Sequence, residues 1–148
     1  MGSFDDDINF GTSKRPIFSN QVHGDSVVIA DEYSNKQLEG DSFITNKPNI
    51  PIAVKVADCQ GVLIFDPIKN VIAAVHSGWR GSVLNIIGKT IKKMADEFGS
   101  ISTDLLVGIS PSLGPCCAEF SDPKNELPDF IHPFVKNRHV DFWSLSKQ

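Results

Sequence analysis

Val62-Leu63-Ile64-Phe65-Asp66-Pro67-Ile68-Lys69-Asn70-Val71-Ile72-Ala73-Ala74-Val75-His76-Ser77-Gly78-Trp79-Arg80-Gly81 is the stretch whose reading decides the fold. Two runs rich in β-branched and aromatic residues flank Asp66-Pro67 and Lys69-Asn70, pairs that favour turns, so strands are predicted over 62–65 and 71–75 as a hairpin. Beyond the second strand the period changes. From Ser82 onward Val83, Ile86, Ile87, Thr90, Ile91, Met94 and Phe98 recur every three or four positions, and Gly99 supplies a stop. This predicts one amphipathic helix over 82–98, packed by its apolar stripe on a sheet.

Working outward, residues 27–30, 42–45, 52–56 and 105–109 also read as short strands. After Gly114-Pro115-Cys116-Cys117 the pattern becomes irregular, and Pro123, Pro128 and Pro133 keep any helix there short. No internal repeat or low-complexity linker interrupts the chain. The expected architecture is an α/β domain of the α+β type, with a mixed, largely antiparallel central sheet and flanking helices, in one domain over residues 1–148.

Composition excludes several function classes. With 148 residues, 41% of them hydrophobic and 22% charged, the chain can bury a core as one folded domain. A net charge of −4 argues against nucleic acid as a partner, because phosphate binding relies on clustered Lys and Arg. Lys89, Lys92 and Lys93 form the one basic cluster and fit the solvated face of the 82–98 helix. No apolar run approaches bilayer length, and the acidic start Met1-Gly2-Ser3-Phe4-Asp5-Asp6-Asp7 lacks the pattern of a signal peptide, so no membrane partner is expected. Three cysteines, two of them adjacent, do not make a secretory disulfide framework. Reduced thiols and a cytoplasmic location are expected.

Three residues carry the chemistry: His23 in Asn-Gln-Val-His-Gly, Cys59 in Val-Ala-Asp-Cys-Gln and His76 in Ala-Val-His-Ser-Gly-Trp-Arg-Gly. Two imidazoles and one thiolate are a sound zinc ligand set, and three protein ligands leave a coordination position open for catalysis. Each residue also has a structural reading, as a satisfied histidine or a small buried cysteine. Their separation in sequence means that only the fold could bring them together. Asp58 beside Cys59 is an odd companion for a purely structural thiol, and it is the nearest candidate for a proton shuttle.

These segments resemble the laccase-domain family, also called polyphenol-oxidase-like or multicopper-polyphenol-oxidase-like proteins. The resemblance rests on Gln21-Val22-His23-Gly24-Asp25, Ala57-Asp58-Cys59, Asp66-Pro67, Ala74-Val75-His76-Ser77-Gly78-Trp79-Arg80-Gly81 and Gly114-Pro115-Cys116-Cys117, in the family's order. It implies zinc held by His23, Cys59 and His76, and a purine nucleoside enzyme performing phosphorolysis of adenosine, inosine or methylthioadenosine and deamination of adenosine. Purine nucleosides and phosphate would be the partners. It also implies a fold similar to the catalytic domain of the cytotoxic necrotizing factor toxins, and that the family's C-terminal segment beyond Val140-Asp141-Phe142-Trp143-Ser144-Leu145 is missing. Departures are Gly40-Asp41-Ser42-Phe43-Ile44-Thr45 for the family's Ala-Asp-Ala-Leu-Val-Thr, and Ile109-Ser110-Pro111 for Ile-Gly-Pro.

On this reading Asp58 moves a proton, and Arg80 with the amides at Gly81-Ser82 offers an anion site for phosphate. Trp79 would stack on the purine. Cys116 and Cys117 would line the pocket. The competing readings are a surface ion pair for Arg80, core packing for Trp79 and plain loop packing for Cys116 and Cys117. Other function classes remain: a metal-free hydrolase or amidase with Cys59 as nucleophile and His76 as base, or a non-catalytic purine-binding domain. A copper phenol oxidase is disfavoured, since four histidines and two methionines cannot build a multicopper cluster.

Overall fold

The computed structural model describes residues 16–30 and 38–148. The acidic start at 1–7 lies outside them. Strand β1 spans Ile17–Asn20, β2 Val27–Ile29, β3 Leu38–Glu39, β4 Ser42–Thr45, β5 Ile52–Ala53, β6 Gln60–Asp66 and β7 Val71–Ser77. Helices α1 (Trp79–Val83) and α2 (Ile86–Phe98) follow, then β8 (Leu106–Ile109), α3 (Pro123–Glu126), β9 (Val135–Lys136), β10 (His139–Val140) and α4 (Phe142–Leu145).

The central sheet has the order β2-β4-β7-β6-β8, parallel only between β2 and β4. It is mixed and largely antiparallel, as expected. The β6–β7 hairpin lies at its centre, with Asp66 Oδ1 accepting hydrogen bonds from the amides of Ile68 and Lys69 in the turn. Pairing runs further than the apolar runs suggested: Gly61 faces His76 and Gln60 faces Ser77, so both strands extend to the edge where the candidate ligands sit.

One face of this sheet carries Ile44, Val62, Ile64, Val71, Ala73 and Val75, packed with Ile86 and Met94 of α2. A second cluster of Ile17, Ala30, Phe43 and Ile50 lies beneath the separate parallel sheet β3-β1-β5. Strand β5 belongs to this small sheet and is shorter than the predicted 52–56 run. A third cluster joins Leu127, Ile131 and Val140 near the C-terminal end.

The predicted single helix is two. Asn85 adopts a left-handed conformation (φ 57°, ψ 48°), and its side chain accepts a hydrogen bond from Gly88 N, capping α2. Asparagine tolerates this conformation and supplies its own cap, so the chain turns there: Val83 of α1 packs on the Leu127, Ile131 and Val140 cluster, while Ile86 to Phe98 pack on the sheet. The first of the two helices begins at Trp79, three residues before the predicted start. Gly99 closes α2 in the left-handed region (φ 70°), as the stop signal predicted. Among the described residues no helix is long and apolar enough to cross a membrane.

Candidate metal centre

Three different local environments deliver the ligand side chains. His23 lies in the loop between β1 and β2, Cys59 immediately precedes β6, and His76 is the penultimate residue of β7. Their ligand atoms all lie within 4.8 Å of one another. The two imidazole rings meet edge to face, with centroids 4.7 Å apart.

A fully buried carboxylate organises the group. Asp41 Oδ1 lies 2.8 Å from His76 Nδ1 and accepts a hydrogen bond from His23 N at 3.0 Å, while Oδ2 accepts from Gly24 N at 2.8 Å and Val22 N at 3.3 Å. Burial alone would raise its pKa, but the bonds from Gly24, His76, Val22 and His23 outweigh it and hold the carboxyl below its ordinary value. An ionised carboxylate can only accept, so the His76 proton resides on Nδ1 and Nε2 is left with a lone pair for a metal. The same contacts hold His23 at φ 58°, a conformation that a non-glycine residue keeps only when its surroundings impose it.

Gly78 supplies the space. A Cβ at this buried position would lie 3.2 Å from Cys59 Sγ, 3.4 Å from His23 Cδ2 and 3.7 Å from His76 Cε1. The three donors therefore surround a cradle that any larger residue would fill. Gly81 makes a comparable close approach, since a Cβ there would lie 3.1 Å from Gly24 O, on the loop carrying His23. The donor set and the space fit a metal ion. Burial, Asp58 and Asp41 push the Cys59 thiol up from its ordinary pKa, and a cation bound to the sulfur would reverse this.

A cleft of about 450 Å³ opens beside Cys59 and Gly78, lined also by Asp58, Trp79, Phe120 and Phe142. Trp79 meets Phe120 edge to face at 5.6 Å, and Phe120 tilts on Phe142 at 6.1 Å. Buried Gln60 ties α4 to this wall: its Oε1 accepts from Ser146 Oγ at 2.6 Å, and its Nε2 donates to Phe142 O at 3.4 Å. Asp58 is exposed at the cleft. Arg80 is exposed, with its guanidinium 4.5 Å from the centre of the Trp79 ring. Neither Arg80 nor buried Gly81 lines the cleft.

A family model described as multi-copper polyphenol oxidoreductase laccase matches residues 4–145. The chain belongs to this family. A purine nucleoside phosphorylase of Clostridium acetobutylicum is 48% identical over 103 residues, covering 69% of this chain and 43% of that protein. A purine nucleoside phosphorylase of Bacteroides thetaiotaomicron is 31% identical over 136 residues, covering 84% of this chain and 50% of its own. The laccase-family chain thus spans about half the length of these relatives. Its fold matches a hypothetical protein, YfiH, of Bacillus licheniformis with TM-score 0.79 at 22% identity, covering 89% of this chain and 57% of that one.

Sequence reasoning singled out His23, Cys59 and His76, and the laccase-family fold brings them together. It missed Asp41 as the common support of His76 and the His23 loop, and Gly78, Phe120 and Phe142 around the group. The signals for Asp41 were an acidic residue opening the short run Ser42–Thr45 and its match to the Asp of the family's Ala-Asp-Ala-Leu-Val-Thr element.

Proposed function

We propose that the chain carries the catalytic centre of a zinc-dependent purine nucleoside phosphorylase, with adenosine deamination as a second reaction of the same centre. The observation that carries this reading is the His23, Cys59 and His76 group, whose Cys59 lines an aromatic-walled cleft large enough for a nucleoside. The names of the relatives add the substrate class. Two imidazoles and a thiolate suit zinc better than hard cations, which prefer oxygen ligands. Reduced thiols suit a cytoplasmic protein.

Zinc held by His23, Cys59 and His76 would supply Lewis acidity and an activated water near neutral pH. Phosphorolysis needs phosphate to attack ribose C1′ while the bond to the purine nitrogen breaks, and a proton to reach the departing base. Asp58 at the cleft edge moves that proton. Trp79, Phe120 and Phe142 present aromatic edges and faces on which a purine packs. Arg80, held over Trp79, turns its guanidinium to phosphate, and the close approach at Gly81 keeps the His23 loop against α1. Deamination would use the same purine position, with His23, Cys59 and His76 as the residues that would hold the metal beside it.

The experiment is metal analysis of the purified protein, paired with product detection on adenosine and inosine with and without phosphate. Bound zinc, phosphate-dependent release of free base, and loss of both on chelation are expected. Full turnover after complete metal removal would instead favour a hydrolase using Cys59 as nucleophile and His76 as base. Nucleoside binding without turnover would leave a binding domain.

A further inference from the structure

We propose that Cys116 and Cys117 form a modification site, a dithiol that a disulfide oxidant converts to a vicinal disulfide, altering the cleft that Cys117 lines. The two Sγ atoms are 3.0 Å apart, and both residues are exposed. Adjacent side chains ordinarily diverge. Here the chain turns tightly, with Cys117 N and Ala118 N both donating to Gly114 O at 3.0 and 3.1 Å, and Glu119 N donating to Cys117 O at 2.9 Å.

Trp143 fixes one side of the pair. A Cβ on Gly114 would lie 3.3 Å from two carbons of the Trp143 ring and 3.7 Å from Cys116 Sγ, so the thiol and the indole share the space over this glycine. The indole is held in turn by Nε1 donating to Ser112 Oγ at 2.8 Å. The two thiols share a hydrogen bond in which either can donate, and this bond pushes the Cys117 thiol up from its ordinary pKa. Cys117 lines the cleft together with Cys59 and Phe120, whereas Cys116 lines a second cleft with Lys136, His139 and Asp141.

Two exchanges complete the chemistry. The Cys116 thiolate attacks one sulfur of the oxidant, forming a mixed disulfide and releasing one thiol. Cys117 gives its proton to solvent and attacks the Cys116 sulfur, closing the ring and expelling the second thiol. Two electrons pass from the dithiol to the oxidant. Closing 3.0 Å to a bond of about 2 Å moves the sulfurs by about 1 Å in total. The α-carbons of adjacent residues stay about 3.8 Å apart across a trans peptide, below the usual disulfide range of about 4.4 to 6.8 Å. The ring is therefore strained and readily reduced, which suits a reversible modification and not a permanent brace.

The test treats the zinc-loaded protein with oxidised glutathione and follows intact mass, free thiols and zinc. Wild type should lose two hydrogens and two free thiols, retain no glutathione, keep its zinc and revert with dithiothreitol. Cys116→Ser should instead hold glutathione on Cys117. A persistent glutathione adduct on wild type, or a bridge to Cys59 with loss of zinc, overturns the assignment. A second arm rests on the function proposed above: ring closure should lower kcat/KM for nucleoside severalfold, restored by dithiothreitol. Unchanged turnover after oxidation overturns the link to the cleft, whereas absence of turnover before oxidation counts against the proposed reaction alone.

Discussion

Asp41 Oδ1 sits 2.8 Å from His76 Nδ1, and both side chains are buried, at 0% and 2% exposure. The same carboxylate accepts the amides of Val22, His23 and Gly24. One side chain thus sets the tautomer of one imidazole ligand and the loop conformation of the other.

Asp41→Asn should weaken zinc binding by about 10- to 100-fold, because the amide cannot accept from every group that the carboxylate serves. Zinc titration against a competing chelator measures this. The variant should also change the acid stability of the metal-free protein. The folded-state pKa of Asp41 lies below its unfolded value of about 3.9, so the carboxylate stabilises the fold above that pH and its contribution is lost as pH falls through the folded pKa. Melting temperatures across the acid range should therefore fall less steeply with decreasing pH in Asp41→Asn. Equal slopes and equal zinc affinity in both proteins would remove Asp41 from the site.

Cys59 sets the pH dependence of metal uptake. Its raised pKa keeps the thiol protonated in the metal-free protein, and on the proposed zinc assignment the ion must displace that proton. Apparent zinc affinity should rise about tenfold per pH unit below the Cys59 pKa, with one proton released per ion from this residue. Titrations in buffers of different ionisation enthalpy count the protons. In Cys59→Ala the residual affinity should be far weaker and lack this proton.

Gly78→Ala separates folding from metal binding. Gly78 has φ −75°, an ordinary value for alanine, so the substitution restricts the unfolded chain without imposing backbone strain. The added carbon would nevertheless stand 3.2 Å from Cys59 Sγ. Melting temperature without metal should hold, while zinc affinity falls severalfold. A parallel loss of both would show general damage.

Arg80→Lys keeps the charge but loses the planar pair of donors and much of the stacking on Trp79. As part of the anion site, the change should cost about 2 to 4 kcal/mol in the barrier to phosphorolysis, roughly thirty- to a thousand-fold in rate. Stability should change by less than about 1 kcal/mol, since the side chain is exposed. Unchanged rates would leave Arg80 as a cover for Trp79.

Local signals were legible where neighbours in sequence are neighbours in space. The β6–β7 hairpin followed from two apolar runs around a turn, and the stripe from Ile86 to Phe98 followed from helical spacing. Asn85 escaped notice because a polar residue on the solvated side of a helix looks the same whether the chain continues or breaks. Strands β1 and β3 are short, of mixed polarity, and pair in parallel with distant segments, so neither period nor turn chemistry marks them.

By itself the sequence determined the antiparallel hairpin, the amphipathic helix with its glycine stop, and the residue types able to hold a metal. These depend on periodicity and donor chemistry, both of which are written locally. Only the tertiary structure decided that His23, Cys59 and His76 meet, and that Asp41 supports the two histidines from 35 positions before His76 and 17 after Gly24. Convergence of this kind comes from the pairing of β4 with β7 and of β6 with β7, a long-range register that no window of sequence contains.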